Sequence, residues 1–223
     1  MPPGKSKRSP RRILVTAGPT REMLDPVRFI TNLSTGEMGY AIARAAREKG
    51  YEVTLISGPT ALKSPSGVRF VPIVTVEELR QALDKYFFKN DLLIMAAAVG
   101  DFIPVQRSQR KIHRRTRWRV EFRDAPDLIR GIAKRKRGRL VIGFSLETEN
   151  WLKRSRRKLR EKYLDGIVAN FYTRRHDPFG KTCVHVALID DRRTRVLRLP
   201  SKRALAARLL GWAEGLKKYS CQI

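Results

Sequence analysis

The chain has 223 residues, of which 48 are Lys or Arg and 21 are Asp or Glu, so its formal net charge is +27. Apolar residues make up 42%, which excludes a predominantly disordered protein, and no apolar run approaches the roughly 20 residues that cross a bilayer. Two cysteines, Cys183 and Cys221, are too few for a disulfide framework or a zinc site. The basic N-terminus lacks the apolar segment of a secretory signal, and we expect a cytoplasmic protein.

The positive charge is concentrated in four segments of the chain. Residues 1–12, 107–123, 134–139 and 153–162 contain five, eight, five and seven of the basic residues. Such a field attracts polyanions, which include nucleic acids, anionic membranes and phosphorylated small molecules. Non-specific binding of polyanions is therefore expected.

In chain order, a flexible basic tail over 1–10 precedes one domain over 11–223. Apolar, β-branched runs that favour buried strands lie at 12–16, 52–56, 69–73, 91–98, 139–144 and 166–170. Helical patterns lie at 37–49, 76–88, 126–136, 151–164 and 201–217. This alternation is typical of right-handed βαβ crossovers and predicts an α/β, Rossmann-like, doubly wound and mainly parallel sheet.

Two segments depart from the alternation. Residues 103–123 contain no helical stripe, and the run Trp118–Phe122 could pair as a strand, so we predict a strand–loop–strand flap there. Residues 183–199 consist of two apolar runs around Asp190 and Asp191, which predicts an antiparallel C-terminal β-hairpin.

The start of the helix predicted at 37–49 is the first candidate binding site. Ser34 and Glu37 fit a capping box, and Gly50 suits the other end of the helix. Gly36 and Gly39 would leave backbone N–H groups free to bind phosphate, or they would only let the helix pack close to the sheet. No dinucleotide-binding glycine motif and no P-loop lysine motif is present, which argues against routine dinucleotide binding or P-loop hydrolysis.

Several short motifs follow one another in a specific order over about residues 11–217. They are Ala17-Gly18-Pro19-Thr20-Arg21-Glu22, Asp25-Pro26-Val27-Arg28, Ile30-Thr31-Asn32-Leu33-Ser34-Thr35-Gly36-Glu37-Met38-Gly39, Ser57-Gly58-Pro59, Ala96-Ala97-Ala98-Val99-Gly100-Asp101-Phe102, Lys111-Ile112, Ala125-Pro126-Asp127-Leu128, Gly143-Phe144-Ser145-Leu146-Glu147-Thr148, Lys158-Leu159-Arg160-Glu161-Lys162 and Asp165-Gly166-Ile167-Val168-Ala169-Asn170. With this set the chain resembles phosphopantothenoylcysteine synthetase, in many bacteria the C-terminal half of a bifunctional coenzyme A biosynthesis flavoprotein.

The resemblance implies a ligase that joins 4′-phosphopantothenate to the amine of cysteine in coenzyme A biosynthesis. Bacterial members use CTP, form an acyl-cytidylate with release of pyrophosphate, and let cysteine displace CMP. CTP as cosubstrate, Mg²⁺ and a homodimer are the corresponding expectations, with metal ligands that the sequence does not identify. No flavin is expected, and the decarboxylase of the pathway is expected on a separate chain.

Two catalytic roles follow from the resemblance. Asn32 matches the asparagine that holds the phosphopantothenate end, where a neutral amide could donate to an oxyanion, and Ala97 and Ala98 are expected beside the same substrate. Lys111 matches the flap lysine that closes over the acyl-cytidylate, a role that suits a long flexible cation.

The remaining site residues are assigned to the nucleotide. Small residues at the end of a strand would admit the base, a ring would pack against it, and a lysine pair at i, i+4 would share one helix face and bind the triphosphate. The positions expected to bind nucleotide are Gly36, Gly39, Met95, Ala96, Ala97, Asp101, Lys111, Pro126, Asp127, Leu128, Ile129, Phe144, Lys158 and Lys162.

The chain also departs from the family pattern. His113 stands where a second flap lysine is usual, Gly100 and Phe102 replace the commoner Ala and Tyr, and Ala125 replaces Asn before Pro126. Two alternatives therefore stay open: an ATP-using ligase of the same family, and a catalytically retired member that binds nucleic acid through its basic runs. In the second case the two lysines at 158 and 162 are one part of a solvated basic face.

Overall fold

The computed structural model describes residues 11–114, 117–173 and 183–220, and the side chains of these residues up to 216. The tail predicted over 1–10 lies outside the described residues. The elements in chain order are β1 (Arg12–Ala17), β2 (Arg21–Met23), β3 (Phe29–Thr31), α1 (Glu37–Glu48), β4 (Glu52–Ser57), β5 (Arg69–Pro72), α2 (Val76–Tyr86), β6 (Leu92–Met95), β7 (Phe102–Pro104), β8 (Phe122–Asp124), α3 (Leu128–Ala133), β9 (Leu140–Glu147), α4 (Trp151–Glu161), β10 (Gly166–Phe171), β11 (Val184–Ile189), β12 (Thr194–Leu199) and α5 (Lys202–Ser220).

Eight of these strands form one sheet in the order β12-β11-β10-β9-β6-β1-β4-β5. The six strands from β10 to β5 are parallel, and β11 and β12 add an antiparallel edge. The chain first builds outward from β1 through β4 and β5, and then returns to the other side of β1 with β6. This reversal makes the fold doubly wound and confirms both the predicted sheet and the C-terminal hairpin.

The two faces of the sheet are covered by different helices. Ile13 and Val15 of β1 point into a core formed with α1 and α5, whereas Leu14 points into a second core formed with α2 and α3. The alternation follows from the two-residue period of a strand. A smaller cluster joins Leu159 of α4 to β10 and β11. The helices α1 and α5 therefore lie on one face, and α2, α3 and α4 on the other.

Several predicted boundaries were wrong. The apolar run 91–98 forms a strand only to Met95, because the Ala97 N–H turns to the Thr16 hydroxyl. The helix predicted over 126–136 covers only Leu128–Ala133. The end of the helix predicted over 76–88 is a separate 3₁₀ turn, Phe87–Lys89. Among the described helices, none is long and apolar enough to cross a membrane.

The predicted flap is held by two short antiparallel strands, β7 and β8. Its second strand starts at Phe122 and runs to Asp124, so the strand predicted over Trp118–Phe122 was placed too early. The flap rests on a hairpin of β2 and β3 that the sequence analysis missed.

Asp25, in the turn of that hairpin, holds the flap in place through a hydrogen bond to its backbone. Its carboxylate is fully buried and accepts hydrogen bonds from the N–H groups of Val27 and Arg28, both at 2.8 Å, and of Ile112 at 3.1 Å. Burial disfavours the charged form, but these three donors and the Arg28 guanidinium outweigh it and lower the pKa of Asp25. The carboxylate therefore stays charged at neutral pH and fixes the flap beside Ile112.

Candidate functional site

A cleft of about 690 Å³ opens at the carboxyl ends of the parallel strands, where the strand order reverses beside β1. Open α/β sheets bind their ligands at this position. The described residues that line it are 32–39, 95–101, 125–129, 144–146, Lys158, Lys162, Asn170, 183–186, Lys202 and Leu205.

Two buried threonines of the β1 end shape the floor of the cleft. The Thr16 hydroxyl accepts a hydrogen bond from the Ala97 N–H at 3.1 Å, and the Thr20 hydroxyl accepts one from the Gly100 N–H at 2.9 Å. Both threonines are almost completely buried. These bonds hold the loop that follows β6 against the end of β1, so its small residues face the cleft.

Asn32 lies at one end of the cleft against the same loop. Its amide nitrogen donates to the carbonyl oxygens of Ala98 at 3.2 Å and of Val99 at 3.1 Å. Both N–H bonds of the amide are therefore used within the protein, whereas we expected the amide to donate to a substrate oxyanion. The group that Asn32 retains for a ligand is its amide oxygen, an acceptor.

The predicted capping box at the start of α1 was wrong. Gly36 is the N-cap, with a left-handed φ of 80°, and the cap makes no side-chain hydrogen bond. The Ser34 hydroxyl accepts only the Gly36 N–H at 3.3 Å, and the Glu37 carboxylate pairs with Lys202 of α5. The left-handed turn at Gly36 separates Ser34 from the first turn of the helix. The helix does end as expected, with Gly50 at a φ of 85°.

Gly39 serves close packing between α1 and the sheet. A Cβ at this position would lie 2.4 Å from the Cβ of Ala17 and 2.9 Å from the carbonyl oxygen of Thr16. Any larger residue would push the helix away from β1 and displace its N-terminus from the cleft. Of the two explanations that the sequence left open, close packing therefore holds for Gly39, which nevertheless lines the cleft.

Lys158 of α4 lines the cleft and forms an ion pair there. Its Nζ lies 2.6 Å from Oε1 of Glu147, a carboxylate that is only 7% exposed and also accepts the Ser145 hydroxyl at 2.7 Å. Burial alone raises the pKa of Glu147, but the hydrogen bonds from Lys158 and Ser145 and the charge of Arg154 outweigh it and lower that pKa. Lys158 is thus held in position by a charged partner.

Lys162 lies one helical turn further along the chain and pairs with a carboxylate at the start of α3. Its Nζ is 3.2 Å from Oδ2 of Asp127, whose Oδ1 accepts the Arg130 N–H and so caps α3. Asp127 is therefore the N-cap of α3, and Pro126 precedes it, whereas the sequence suggested a helix that starts at Pro126. The two lysines face the cleft between carboxylates of two different elements.

Apolar side chains form one wall of the cleft. Met95 and Leu128 are buried, and Ile129 and Phe144 are partly buried where they line the cleft. Asp101 is exposed at the rim. The wall offers an apolar surface of the kind that a nucleobase or an acyl chain would contact.

With one exception, the structure brings every predicted site residue to this cleft. Lys111 is exposed and does not line it in the described part of the chain. The reason is the position of the flap, because the backbone of Ile112 is bound on both sides, by Asp25 and by the Arg28 guanidinium.

Four residues that shape the site were not predicted from the sequence: Thr16, Thr20, Glu147 and Lys202. Glu147 belongs to one of the motifs. It is a carboxylate in a strand that ends at the ligand edge, and this position was the signal that could have identified it as a site residue. Lys202 carried no local signal, because only the packing of α5 beside α1 brings it to Glu37.

A doubly wound sheet whose cleft combines small residues, an apolar wall and carboxylate-held lysines defines an α/β domain with its ligand cleft at the carboxyl edge of the sheet. Within that class, the chain belongs to the family described as DNA/pantothenate metabolism flavoprotein C-terminal domain, whose profile matches residues 9–216.

The relatives agree with this assignment. The chain is 36% identical over 211 residues to the coenzyme A biosynthesis bifunctional protein CoaBC of Bacillus subtilis (strain 168). The aligned residues cover 93% of this chain and 52% of that protein. The chain therefore spans about half the length of this curated relative.

Solved structures have the same fold. The crystal structure of the C-terminal domain of a CoaBC protein superposes with a TM-score of 0.80 at 34% identity, covering 93% of this chain and 96% of that one. A Cab2 mutant in complex with phosphopantothenate-cysteine has a TM-score of 0.77 at 18% identity, covering 95% of this chain and 87% of that one. At that identity the second similarity concerns the fold alone.

Proposed function

We propose that the chain is a ligase that joins 4′-phosphopantothenate and cysteine in coenzyme A biosynthesis. The observation that carries the proposal is that one cleft contains Asn32 together with Lys158 and Lys162. Membership of the family and the 36% identity to CoaBC, a coenzyme A biosynthesis protein, support the substrate class. Asn32, Ala97 and Ala98 would contact the phosphopantothenate part.

The proposed reaction has two steps that balance in atoms and charge. An oxygen of the phosphopantothenate carboxylate attacks the α-phosphorus of CTP, and pyrophosphate leaves. The amine of cysteine then attacks the acyl carbon, CMP leaves, and the amine loses a proton. Negative charge develops beside the phosphates in the first step, where Lys158 and Lys162 would stabilise it.

The nucleotide would lie along the apolar wall. Phe144, Met95 and Ile129 would contact the base, and the N-terminus of α1 at Gly36 would add backbone donors to the phosphates. Mg²⁺ would arrive on the triphosphate and neutralise part of its charge. The described residues contain no cluster of three or more His, Cys, Asp or Glu side chains that could hold a metal ion. Asp101, an exposed carboxylate that lines the cleft, would face the ion.

Lys111 remains a predicted catalytic residue. It would reach the acyl-nucleotide only if the flap moved from its position beside Asp25 toward the cleft, and such a movement would require the Ile112 contacts to break.

We expect purified protein to release pyrophosphate only when phosphopantothenate is present, and fastest with CTP among the four nucleoside triphosphates. The measurement is a coupled pyrophosphate assay with Mg²⁺, with and without cysteine. Equal or faster release with ATP would favour the ATP-using ligase and contradict the base assignment. Absence of release with every nucleotide would contradict the ligase itself.

We also propose a homodimer through the flap and the β2–β3 hairpin. These two hairpins expose a group of large apolar side chains, among them Val27, Phe29, Ile30, Phe102 and Trp118. Burial of such a group against a second copy favours association through the hydrophobic effect, which must exceed the entropy lost when two copies associate. Sedimentation equilibrium in moderate salt should give twice the monomer mass at micromolar concentration, and a monomer throughout that range would contradict the dimer.

A further inference from the structure

A second groove, of about 970 Å³, lies between the end of α3, the outer side of α4 and the turn of the β11–β12 hairpin. None of its lining residues lines the cleft described above. Six basic side chains and two carboxylates line this basic groove. The basic ones are Lys134, Lys136, Arg156, Arg160, Arg192 and Arg193.

The basic side chains of the groove outnumber its carboxylates six to two, so the lining has a net positive charge. Lys136 pairs with Asp165 at 2.7 Å. Asp190 is occupied by the indole N–H of Trp212 at 3.1 Å and by two backbone N–H groups of the hairpin turn. Among the described residues, Lys134, Arg160 and Arg193 form no ion pair with a carboxylate. The groove therefore keeps a positive field that a ligand of several negative charges would match.

One exposed aromatic ring lines the groove, and a second ring contacts the basic run 134–139. Tyr163 lines the groove, is 48% exposed, and has the Lys134 Nζ 5.5 Å from its ring centroid. Phe88, 37% exposed, lies beneath Arg137 and Arg139 at 5.9 and 5.2 Å. These arginines belong to the basic run 134–139, which also supplies Lys134 and Lys136 to the groove. Unpaired cations interleaved with accessible rings are the arrangement that binds single-stranded nucleic acid, because bases stack on rings while cations follow the backbone.

We propose that the basic groove is a binding site for single-stranded nucleic acid, separate from the ligase cleft. The phosphodiester backbone would follow Lys134, Arg160 and Arg193, and one base would stack on Tyr163. The groove is open and its cations lie on three different elements, which suits an extended polyanion better than one small phosphate. This inference does not depend on the proposed ligase function.

The test is fluorescence anisotropy with a labelled 20-nucleotide oligouridine over a series of salt concentrations. We expect the triple substitution Lys134→Gln, Arg160→Gln and Arg193→Gln to weaken binding at least tenfold. The slope of log affinity against log salt should fall by about 2, since each lost phosphate contact on a single strand removes about 0.7.

A matched control removes three exposed positive charges elsewhere. Arg44→Gln, Lys63→Gln and Arg208→Gln change residues of α1, a surface loop and α5, so two of the three lie on the opposite face of the sheet, and binding should change less than about twofold. Equal losses in both variants would assign binding to net charge and overturn the proposal. Binding to anionic vesicles that exceeds binding to the oligonucleotide would overturn it as well.

The aromatic contact is tested by Tyr163→Asn. Asn tolerates the left-handed φ of 58° at this position, so the backbone is not strained by the change. Loss of one stacked base should weaken oligouridine binding about tenfold and leave binding of a 20-base-pair duplex almost unchanged, because paired bases cannot reach the ring. Tighter binding of the duplex by the unchanged protein would contradict the single-strand assignment.

Discussion

Replacing Lys158 and Lys162 together by glutamine is expected to weaken CTP binding at least a hundredfold. Each lysine would donate a charge-assisted hydrogen bond to the triphosphate, and two such bonds at about 1.5 kcal/mol each account for that factor. The measurement is isothermal titration calorimetry with CTP and Mg²⁺. An affinity within a fewfold of the unchanged protein would mean that the pair is only a solvated face.

A control on the same helix separates position from charge. Lys153 and Arg157 have the same i, i+4 spacing, are exposed, and do not line the cleft. Replacing both by glutamine removes the same charge, so we expect CTP affinity to change less than about twofold. A comparable loss in this control would attribute nucleotide binding to the general positive field of α4.

The lysine substitution also has a consequence for pH dependence. In the folded protein Lys158 contributes to the lowered pKa of Glu147, so the ion pair adds stability above the ordinary carboxyl pKa and loses it as the pH falls through the lowered value. Without Lys158, its hydrogen bond and its charge are lost, and the pKa of Glu147 rises relative to that in the unchanged protein. The glutamine variant should therefore be destabilised more at pH 7 than at pH 4, which thermal unfolding at the two values would measure.

Replacing Asn32 by aspartate is expected to lower ligation turnover at least a hundredfold. The new carboxylate would lie about 3 Å from the carbonyl oxygens of Ala98 and Val99, which now accept hydrogen bonds from the amide. It would also add negative charge to a cleft proposed to bind anionic intermediates. The repulsion would displace the loop and the acyl group bound beside it, and a misplacement of about 1 Å costs on the order of 10² in rate.

A quenched single turnover identifies the affected step. We expect Asn32→Asp to accumulate the acyl-nucleotide. The second step, in which the amine of cysteine attacks the acyl carbon, requires the acyl group to be oriented toward cysteine. Asn150→Asp is the matched control, since it adds the same charge at an exposed N-cap outside the cleft and should leave turnover unchanged. Full turnover by Asn32→Asp would remove Asn32 from the site.

Much of the fold could be predicted from the sequence, because its signals are local. Runs such as Ile13–Val15 and Leu92–Met95 are apolar at consecutive positions, as strands buried on both faces must be. The helices between them carry periodic apolar stripes. The motifs placed nearly all the cleft residues at the ends of these strands, and the carboxyl ends of parallel strands meet at one edge. Hence the sheet, its hairpin and the position of the cleft followed from the sequence.

The tertiary structure decided the contacts between distant parts of the chain. A local capping pattern suggested that Glu37 would bond back to Ser34, but Lys202, 165 residues away, takes its carboxylate. Lys111 matched a catalytic position, yet the buried Asp25 holds the flap away from the cleft. Glu147 and Lys158 belong to a strand and the following helix, and burial of the carboxylate makes their pairing strong. Such pairings depend on desolvation and on which elements pack together, and neither quantity is encoded in residue type or spacing alone.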